Sequence, residues 1–164
     1  MKQVIRREEG MRTAILVRDF ITPFCDKVVI AGSLRRASSF VRDVDLLVST
    51  ANIQRLKDEI VTMENFSIIR NGNRNFSFGI NEVQVDVVFI PEKSFGSALL
   101  YFTGSKNFNI LCRRRAISKK MKLSEYGLFE RESEKIISQS EEEILKILEL
   151  SEFINPKTRN FKSR

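Results

Sequence analysis

The chain has 164 residues, of which 42% are hydrophobic and 30% charged, and its formal net charge is +7. This length and composition fit one compact unit or two apposed subdomains, and they exclude a wholly disordered chain. The sequence contains no histidine, which excludes a Ser-His-Asp triad and histidine-bearing zinc sites, and its seven glycines match neither the dinucleotide-binding fingerprint nor the Walker phosphate loop.

In chain order, helical and strand patterns alternate through the first half and predict an α+β subdomain over residues 1–91. Apolar positions at helical spacing predict helices over 4–22 and 52–64, the first ended by Pro23. Strands are predicted at 27–31, 44–48, 66–70, 76–80 and 82–90. The third and fourth strands flank Asn71-Gly72-Asn73, whose residues accept a positive φ, and therefore predict a hairpin.

After Pro91 the pattern changes, and residues 92–164 predict a smaller, mostly helical and more basic subdomain. Helices are predicted over 94–103, 105–120 and 140–148. Their predicted caps are Ser94, Ser105 and a capping box of Ser140 with Glu143. Extended segments are predicted at 123–129 and 135–137, and the tail after Asn155 is expected to be irregular.

The positive charge favours polyanionic partners, nucleic acid foremost and anionic membrane second, although it also serves solubility. Basic residues are concentrated at 113–122 and 156–164. No apolar run is long enough for a membrane helix and the charged N-terminus has no apolar signal core, so the sequence predicts a soluble, intracellular protein without a membrane partner. Cys25 and Cys112 lie far apart and are interpreted as buried thiols in a reducing compartment.

Three aspartates form the pattern that carries chemistry. Asp43 and Asp45 alternate at a predicted strand, so their side chains point to one face, and Asp86 interrupts the apolar run of another strand expected to lie beside it. Carboxylates this close repel one another unless a cation lies between them, and hard oxygen ligands suit magnesium or manganese. An Asp-x-Asp pair alone also occurs at turns and on solvent-facing edges.

A second pattern precedes the aspartates. Gly32-Ser33 closes a predicted strand ten residues before Asp43. Ser33 and the following backbone amides can hold a triphosphate, helped by Arg35 or Arg36, while the other arginine is interpreted as solvated. Two cations held by the three carboxylates would then suit an in-line phosphoryl transfer.

The segments GSLRR and DVDLLV resemble the nucleotidyltransferase superfamily built on the DNA polymerase β palm. Further along, YFTGSKNFN at 101–109, RRRAISKKMKLSEYGLF at 113–129 and INPKTRN at 154–160 resemble family X DNA polymerases, as does VIRREE at 4–9. The resemblance implies an α+β fold: a nucleotidyltransferase palm, which is a mixed sheet with flanking helices, followed by a small, mostly helical C-terminal subdomain.

The same resemblance implies roles for individual residues. Asp43 and Asp45 would hold two Mg²⁺ ions, with Mn²⁺ as a substitute, and Asp86 would hold the catalytic ion and help the primer 3′-hydroxyl lose its proton. The nucleotide would be bound by Gly32, Ser33, Arg36, Tyr101, Phe102, Gly104 and Asn109. DNA would be bound by Arg113, Arg114, Lys119 and Lys120. For Tyr101 and Phe102, packing into a helical core is the alternative.

Departures from the resemblance are also visible. Ala37 and Arg42 stand where larger family members usually have glycine, and Gln84 replaces a common arginine. No room precedes residue 4 for a lyase domain, and a helix-hairpin-helix would need Gly-x-Gly. These features resemble the minimal palm-plus-C-terminal-subdomain polymerases of a large DNA virus, so lyase activity is not expected and a viral or phage origin is considered.

The sequence therefore predicts a monomeric, template-directed DNA polymerase that adds deoxynucleotides from their triphosphates to a primer at short DNA gaps. One alternative is a template-independent nucleotidyltransferase acting on RNA or a small molecule. The other alternative is a non-catalytic DNA-binding protein.

Overall fold

The structure is a computed structural model that describes residues 4–160. The chain divides into two compact units, Met1–Glu92 and Lys93–Arg164. The last four residues of the basic segment 156–164 lie outside the described residues. Within residues 4–160 no helix combines the length and the apolar character needed to cross a membrane.

Over residues 4–92, the first unit contains a five-stranded mixed sheet, three α-helices and a two-stranded ribbon. Its α-helices are α1 (Arg7–Ile21), α2 (Gly32–Arg35) and α3 (Ile53–Ile60), and a 3₁₀ turn follows α1 at Thr22–Phe24. Its strands are β1 (Ile5–Arg6), β2 (Lys27–Ile30), β3 (Phe40–Val41), β4 (Val44–Ser49), β5 (Phe66–Asn71), β6 (Asn75–Ile80) and β7 (Val83–Phe89).

Strand order in the sheet is β2-β4-β7-β6-β5, and β4 with β7 is the parallel pair among antiparallel neighbours. Along β7 buried and half-buried residues alternate, because successive side chains of a strand point to opposite faces. The buried set, including Val85 and Val87, forms one core with Val17 and Ile21 of α1 and Leu56 of α3. Gln84 and Asp86 therefore lie on the other face of β7.

Two elements near the N-terminus differ from the sequence prediction. The first helix begins at Arg7, because Ile5 and Arg6 instead pair with Val41 and Phe40 in a short ribbon. Neither partner could be recognised from local apolar spacing, since each strand has only two residues. The segment after β2 is also helical over Gly32–Arg35, where a strand end and loop were expected.

As far as Asn160, the second unit contains three α-helices and a three-stranded antiparallel sheet of order β10-β9-β8. The helices are α4 (Phe95–Thr103), α5 (Lys106–Ser118) and α6 (Glu141–Ile147), with 3₁₀ turns at Glu92–Ser94, Ser151–Phe153 and Pro156–Arg159. The strands are β8 (Met121–Ser124), β9 (Gly127–Glu130) and β10 (Ile136–Ser138). Leu100, Phe108, Leu128 and Ile144 belong to its core.

The predicted cap at Ser105 is confirmed, since its side chain accepts a hydrogen bond from the amide of Phe108. The prediction for Ser94 is wrong: within the described chain α4 begins without a side-chain cap, and Ser94 Oγ accepts from Gln139 Nε2 instead. At α6 only one of the two hydrogen bonds of the predicted capping box is formed. Ser140 accepts from the amide of Glu143, but the Glu143 carboxylate accepts from Ser138 Oγ.

The tail after Asn155 is not irregular throughout, because Pro156–Arg159 forms a 3₁₀ turn capped by Asn155. Arg159 is fully buried and its guanidinium donates to Glu141 Oε1 at 2.8 Å and to the carbonyl of Phe153 at 2.8 Å. A buried arginine near the end of a basic segment was missed, since a run of basic residues normally indicates a solvated surface.

Candidate active site

The strongest feature of the first unit is a pair of aspartates in neighbouring strands. Asp45 in β4 is in register with Asp86 in β7, so the two residues lie side by side on one face of the parallel pair. Both are half-buried, whereas their neighbours Val44 and Val85 point into the core on the other face. The expectation that the strand of Asp86 would lie beside that of Asp45 is confirmed.

Asp43 lies outside the strand that contains Asp45, although the sequence pattern placed both at one predicted strand. It lies in the bend before β4, two residues ahead of Asp45, and lines a groove with Ser33 and Arg36. Within residues 4–160 no three side chains of His, Cys, Asp or Glu are grouped closely enough to hold a metal as they stand. The backbone thus brings Asp45 and Asp86 together and keeps Asp43 nearby.

Asp86 is held by a neighbour on its own strand. Gln84 Nε2 lies 2.8 Å from Asp86 Oδ1 and 3.0 Å from Oδ2, so one amide group donates to both carboxylate oxygens. The two residues are separated by one position in a strand and therefore share a face. Gln84 is neutral, so it orients the carboxylate without adding the positive charge that arginine would bring.

Gly32 is packed directly against Asp45. Its φ is +57°, and a Cβ at this position would lie 1.8 Å from Asp45 Oδ2. The adjacent amide of Ala31 donates to the carbonyl of Asp45 at 2.8 Å, which fixes the end of β2 against β4. Only glycine fits here. The residues fit a divalent cation in their chemistry, because carboxylate oxygens are hard ligands and glycine at position 32 leaves room for the Asp45 side chain.

A groove of about 380 Å³ lies next to the aspartates. Its lining residues come from α2, β3 and the loops around them: Val4, Ser33, Arg36, Ser38, Phe40, Val41, Arg42 and Asp43. Two guanidinium groups and two hydroxyls thus border one space. The predicted phosphate-binding residues Ser33 and Arg36 are brought together, and the groove also contains Arg42, to which the sequence alone gave no role.

In the second unit, the predicted nucleotide-binding residues surround the junction of α4 and α5. Asn109 Nδ2 donates to the carbonyl of Tyr101 at 2.7 Å, and both residues line a small pocket with Arg113. Tyr101 and Phe102 contact edge to face, with ring centroids 5.1 Å apart. Both rings are partly exposed and stand outside the hydrophobic cluster of this unit, so core packing does not account for them. Gly104 has a φ of +66°.

The predicted DNA-binding residues lie on or just after α5. Arg113, Arg114 and Lys120 are exposed, whereas Lys119 Nζ donates to Glu149 Oε1 at 2.7 Å. This hydrogen bond, followed by the charges of Lys119 and Arg115, holds the pKa of the Glu149 carboxyl below its ordinary value. To bind a phosphate, Lys119 would therefore have to give up its hydrogen bond to Glu149.

A second basic groove was missed by the sequence reasoning. It measures about 210 Å³ and combines three cations with an apolar floor: Arg113, Ile117, Met121, Lys122, Leu123 and Arg131. Lys122 and Arg131 belong to β8 and the segment after β9, which a hairpin folds back toward α5. The hairpin was not foreseen, because LSEYGLF was predicted only as one extended stretch.

Neither cysteine is suited to nucleophilic chemistry. Burial raises the pKa of the Cys112 thiol to about 12, and burial together with the charge of Asp26 raises the pKa of Cys25. Cys112 is buried as expected, but Cys25 is only half-buried. The chemistry of the first unit therefore rests on carboxylates, hydroxyls and guanidinium groups.

Comparison with solved structures identifies the class of fold. The chain superimposes on polymerase β of Leishmania infantum, solved as a ternary P/T complex, with a TM-score of 0.81 and 23% identity over 97% of this chain and 77% of that one. A ternary gap complex of the same polymerase gives the same score, with 71% of that chain covered. The fold is that of DNA polymerase β, which confirms the predicted fold class.

Sequence relatives are more specific. Residues 98–160 match the family model described as DNA polymerase beta thumb. DNA polymerase/3′-5′ exonuclease PolX of Bacillus subtilis is 34% identical over 73% of this chain, and DNA polymerase lambda of Rattus norvegicus is 30% identical over 74%. Repair DNA polymerase X of African swine fever virus is 32% identical over 65% of this chain. The chain belongs to the family X DNA polymerases.

The relatives differ in length from this chain. The matched region spans 22% of the bacterial protein, 25% of the rat protein and 66% of the viral protein. Family membership therefore describes the region that this chain shares with them.

Proposed function

We propose that this chain is a template-directed DNA polymerase that fills short gaps. The observation that carries the proposal is the pairing of Asp45 with Asp86 on one face of adjacent parallel strands. Family membership supports the proposal, since the named relatives are DNA polymerases. In the reaction, the primer 3′-oxygen bonds to the α-phosphorus of a deoxynucleoside triphosphate, and the bond from that phosphorus to the bridging oxygen breaks to release pyrophosphate.

We further propose that Asp43, Asp45 and Asp86 hold two Mg²⁺ ions. Carboxylate oxygens are hard ligands that suit Mg²⁺, with Mn²⁺ as a substitute. When bound, such ions stabilise the charge that develops on the attacking and leaving oxygens. Gln84 orients the Asp86 carboxylate, and the absence of a side chain at Gly32 leaves room for the Asp45 carboxylate. Asp86 assists removal of the proton from the primer hydroxyl.

The remaining residues bind the substrates. Ser33 and Arg36 hold the triphosphate, since a hydroxyl and a guanidinium group border the same groove beside Asp43. In the second unit, Tyr101, Phe102 and Gly104 contact the sugar, and Asn109 contacts the base. The hydrogen bond from Asn109 to the Tyr101 carbonyl supports a shared role for the two, because it fixes their relative position.

Gapped DNA is the proposed macromolecular partner. The Leishmania infantum polymerase was solved as a P/T complex and as a gap complex, and the same kind of DNA suits this chain. Arg113, Arg114, Lys119 and Lys120 supply positive charge along one helix and its end. Nothing in the proposal requires more than one copy of the chain.

The test is insertion of a single nucleotide into DNA with a one-nucleotide gap, using each template base in turn and Mg²⁺. Wild type is expected to insert only the complementary deoxynucleotide. Asp45→Asn keeps the size of the side chain but removes its charge, and it is expected to lower kcat on the order of a thousandfold. The matched control is Asp58→Asn, because Asp58 is exposed on α3, which packs on the opposite face of the sheet.

Each rival function predicts a different outcome. Insertion of any nucleotide regardless of the template base, or equal use of ribonucleotides, would indicate a template-independent transferase. Tight binding of gapped DNA without insertion would indicate a DNA-binding protein. Full activity of Asp45→Asn would remove Asp45 from the catalytic site.

A further inference from the structure

Arg42 is the charged residue lining the phosphate groove to which the proposed function assigns no role. It lies in the two-residue bend between β3 and β4, directly before Asp43. The groove that it lines also contains Ser33, Arg36 and Ser38. Within residues 4–160 Arg42 makes no hydrogen bond or ion pair, and it is exposed. An exposed arginine thus borders a groove that also holds two serines and a second arginine.

The backbone that carries Arg42 is firmly held on both sides. Val41 before it is buried and pairs with Ile5 in the ribbon. Val44, two residues later, is fully buried and begins the strand that pairs with β7. The side chain can therefore move while its attachment point stays fixed, which lowers the entropy lost when it binds an anion.

The residues that line the groove differ in exposure. Gly32 contacts the carboxylate of Asp45, and Ser33, which follows it directly, is half-buried, as is Arg36. Arg42 is exposed, and so is Phe40, by 64%. The terminal phosphate of a nucleotide is the one farthest from the reacting centre, so an exposed guanidinium group on the groove suits it better than a half-buried one.

We propose that Arg42 binds the terminal phosphate of the incoming deoxynucleoside triphosphate and makes the site selective for triphosphates over diphosphates. This inference rests on the proposed function, because it takes the nucleotide to be the occupant of the groove. A terminal phosphate carries about −1.5 to −2 charge at neutral pH, and the planar guanidinium group can donate two parallel hydrogen bonds to it. Arg36 then serves the phosphates nearer the reacting centre.

A DNA backbone phosphate is the competing ligand for Arg42. The groove favours the nucleotide, since Ser33, Arg36 and Ser38 place two hydroxyls and a second guanidinium group around one small space. Such convergence suits a compact polyphosphate, whereas a duplex backbone presents single phosphates spaced along a surface. The two ligands give opposite results in the experiment below.

The test compares wild type, Arg42→Ala and Arg42→Lys in single-turnover insertion of dATP opposite a template thymine, with dADP as a competitor. Arg42→Ala is expected to weaken dATP binding about tenfold, with the insertion rate at saturation and the Kd for gapped DNA changed less than about twofold. The Kd for dADP is expected to change less than about twofold, because dADP lacks the phosphate that Arg42 binds. The affinity of Arg42→Lys for dATP should lie between those of wild type and Arg42→Ala, since lysine keeps the charge but not the paired donors.

Arg70→Ala is the matched control, because it removes the same charge from an exposed position on the edge strand β5. It should leave the preference for dATP over dADP unchanged. The proposal is overturned if Arg42→Ala binds dATP like wild type, if dATP and dADP lose affinity equally, or if only the Kd for DNA rises. These results leave wild-type insertion intact, whereas a failure of the proposed function would appear as a wild type that inserts no nucleotide.

Discussion

The amide nitrogen of Gln84 donates to both carboxylate oxygens of Asp86, at 2.8 and 3.0 Å. This contact sets the plane of the carboxylate before any ligand arrives. Replacing Gln84 by leucine keeps the size of the side chain and removes both hydrogen bonds. We expect kcat for nucleotide insertion to fall roughly tenfold to a hundredfold, with little change in KM for the nucleotide, because residues that orient a metal ligand act at about this level.

Steady-state insertion kinetics and the Mg²⁺ concentration at half-maximal rate would measure this effect. Ser77→Ala is the control, since Ser77 lies opposite Asp86 in β6 and its hydroxyl has no hydrogen-bond partner within residues 4–160. Equal kcat values for Gln84→Leu and wild type would show that the Asp86 carboxylate needs no orientation from its own strand.

A methyl group at position 32 is predicted to displace the Asp45 carboxylate in the candidate active site. In Gly32→Ala the new Cβ would lie 1.8 Å from Asp45 Oδ2, at a φ of +57° that alanine adopts only at a cost. We expect a loss of about 1–3 kcal/mol in the free energy of unfolding and an insertion rate reduced at least a hundredfold. Urea denaturation and single-nucleotide insertion would measure the two effects.

Gly72→Ala provides the comparison for Gly32→Ala, because its added Cβ would meet the carbonyl of Asn75 at 3.1 Å in the hairpin turn, in another part of the sheet. It is expected to retain insertion activity. Similar losses of activity in both variants would mean that the contact with Asp45 has no special importance.

The buried ion pair between Arg159 and Glu141 is predicted to stabilise the second unit. Arg159 also lies over the ring of Phe108, 5.1 Å from its centroid, and its backbone carbonyl accepts from Ser105 Oγ. Arg159→Met would remove the guanidinium group from the Glu141 carboxylate, which is 14% exposed. We expect a loss of about 3–5 kcal/mol in the free energy of unfolding, since removing one side of a buried ion pair is strongly destabilising.

Urea denaturation of Arg159→Met, Glu141→Gln and the double variant would measure the coupling. Lys122→Met, which removes an exposed partner of Glu134, is the control and should change stability by less than about 1 kcal/mol. If Arg159→Met lowered the free energy of unfolding no more than this control does, the contacts around Arg159 would add little to stability.

DNA binding is predicted to depend steeply on salt, because basic residues that contact phosphates release counterions. Removal of Arg131, which faces the basic groove beside Arg113 and Lys122, should reduce the slope of log K against log salt by about 1. Binding of gapped DNA to wild type and Arg131→Ala, followed by fluorescence anisotropy at several salt concentrations, would measure it. Arg12→Ala on α1 is the control. If the affinity of wild type for gapped DNA did not change with salt concentration, DNA binding through phosphate contacts would be contradicted.

The sequence predicted the sheet around the aspartates well, because an apolar strand interrupted by one acid indicates both the strand and its polar face. It also predicted that the strand of Asp86 lies beside that of Asp45, whereas the parallel direction and the register that align the two residues come from the structure. The role of Gly32 was weakly indicated, because one glycine before a serine is common. Its contact with Asp45 depends on a positive φ, which the local sequence pattern does not specify.

Other structural features could not be predicted from the sequence, for physical reasons. The two-residue ribbon of Ile5–Arg6 with Phe40–Val41 is too short to leave a periodic pattern. The burial of Arg159 depends on Glu141, a partner 18 residues earlier in the chain. The exposure of Arg42 toward the groove depends on how that ribbon turns the chain into β4. Each is set by a contact distant in sequence rather than by local composition.

The most direct measurement of the central claim is the anomalous diffraction of Mn²⁺ in crystals of the chain with gapped DNA and a nucleotide analogue that cannot be cleaved. The account predicts Mn²⁺ peaks bounded by the carboxylates of Asp43, Asp45 and Asp86, with the analogue's phosphates in the groove of Ser33 and Arg36. A nucleotide bound there with no Mn²⁺ peak at these three carboxylates would contradict it.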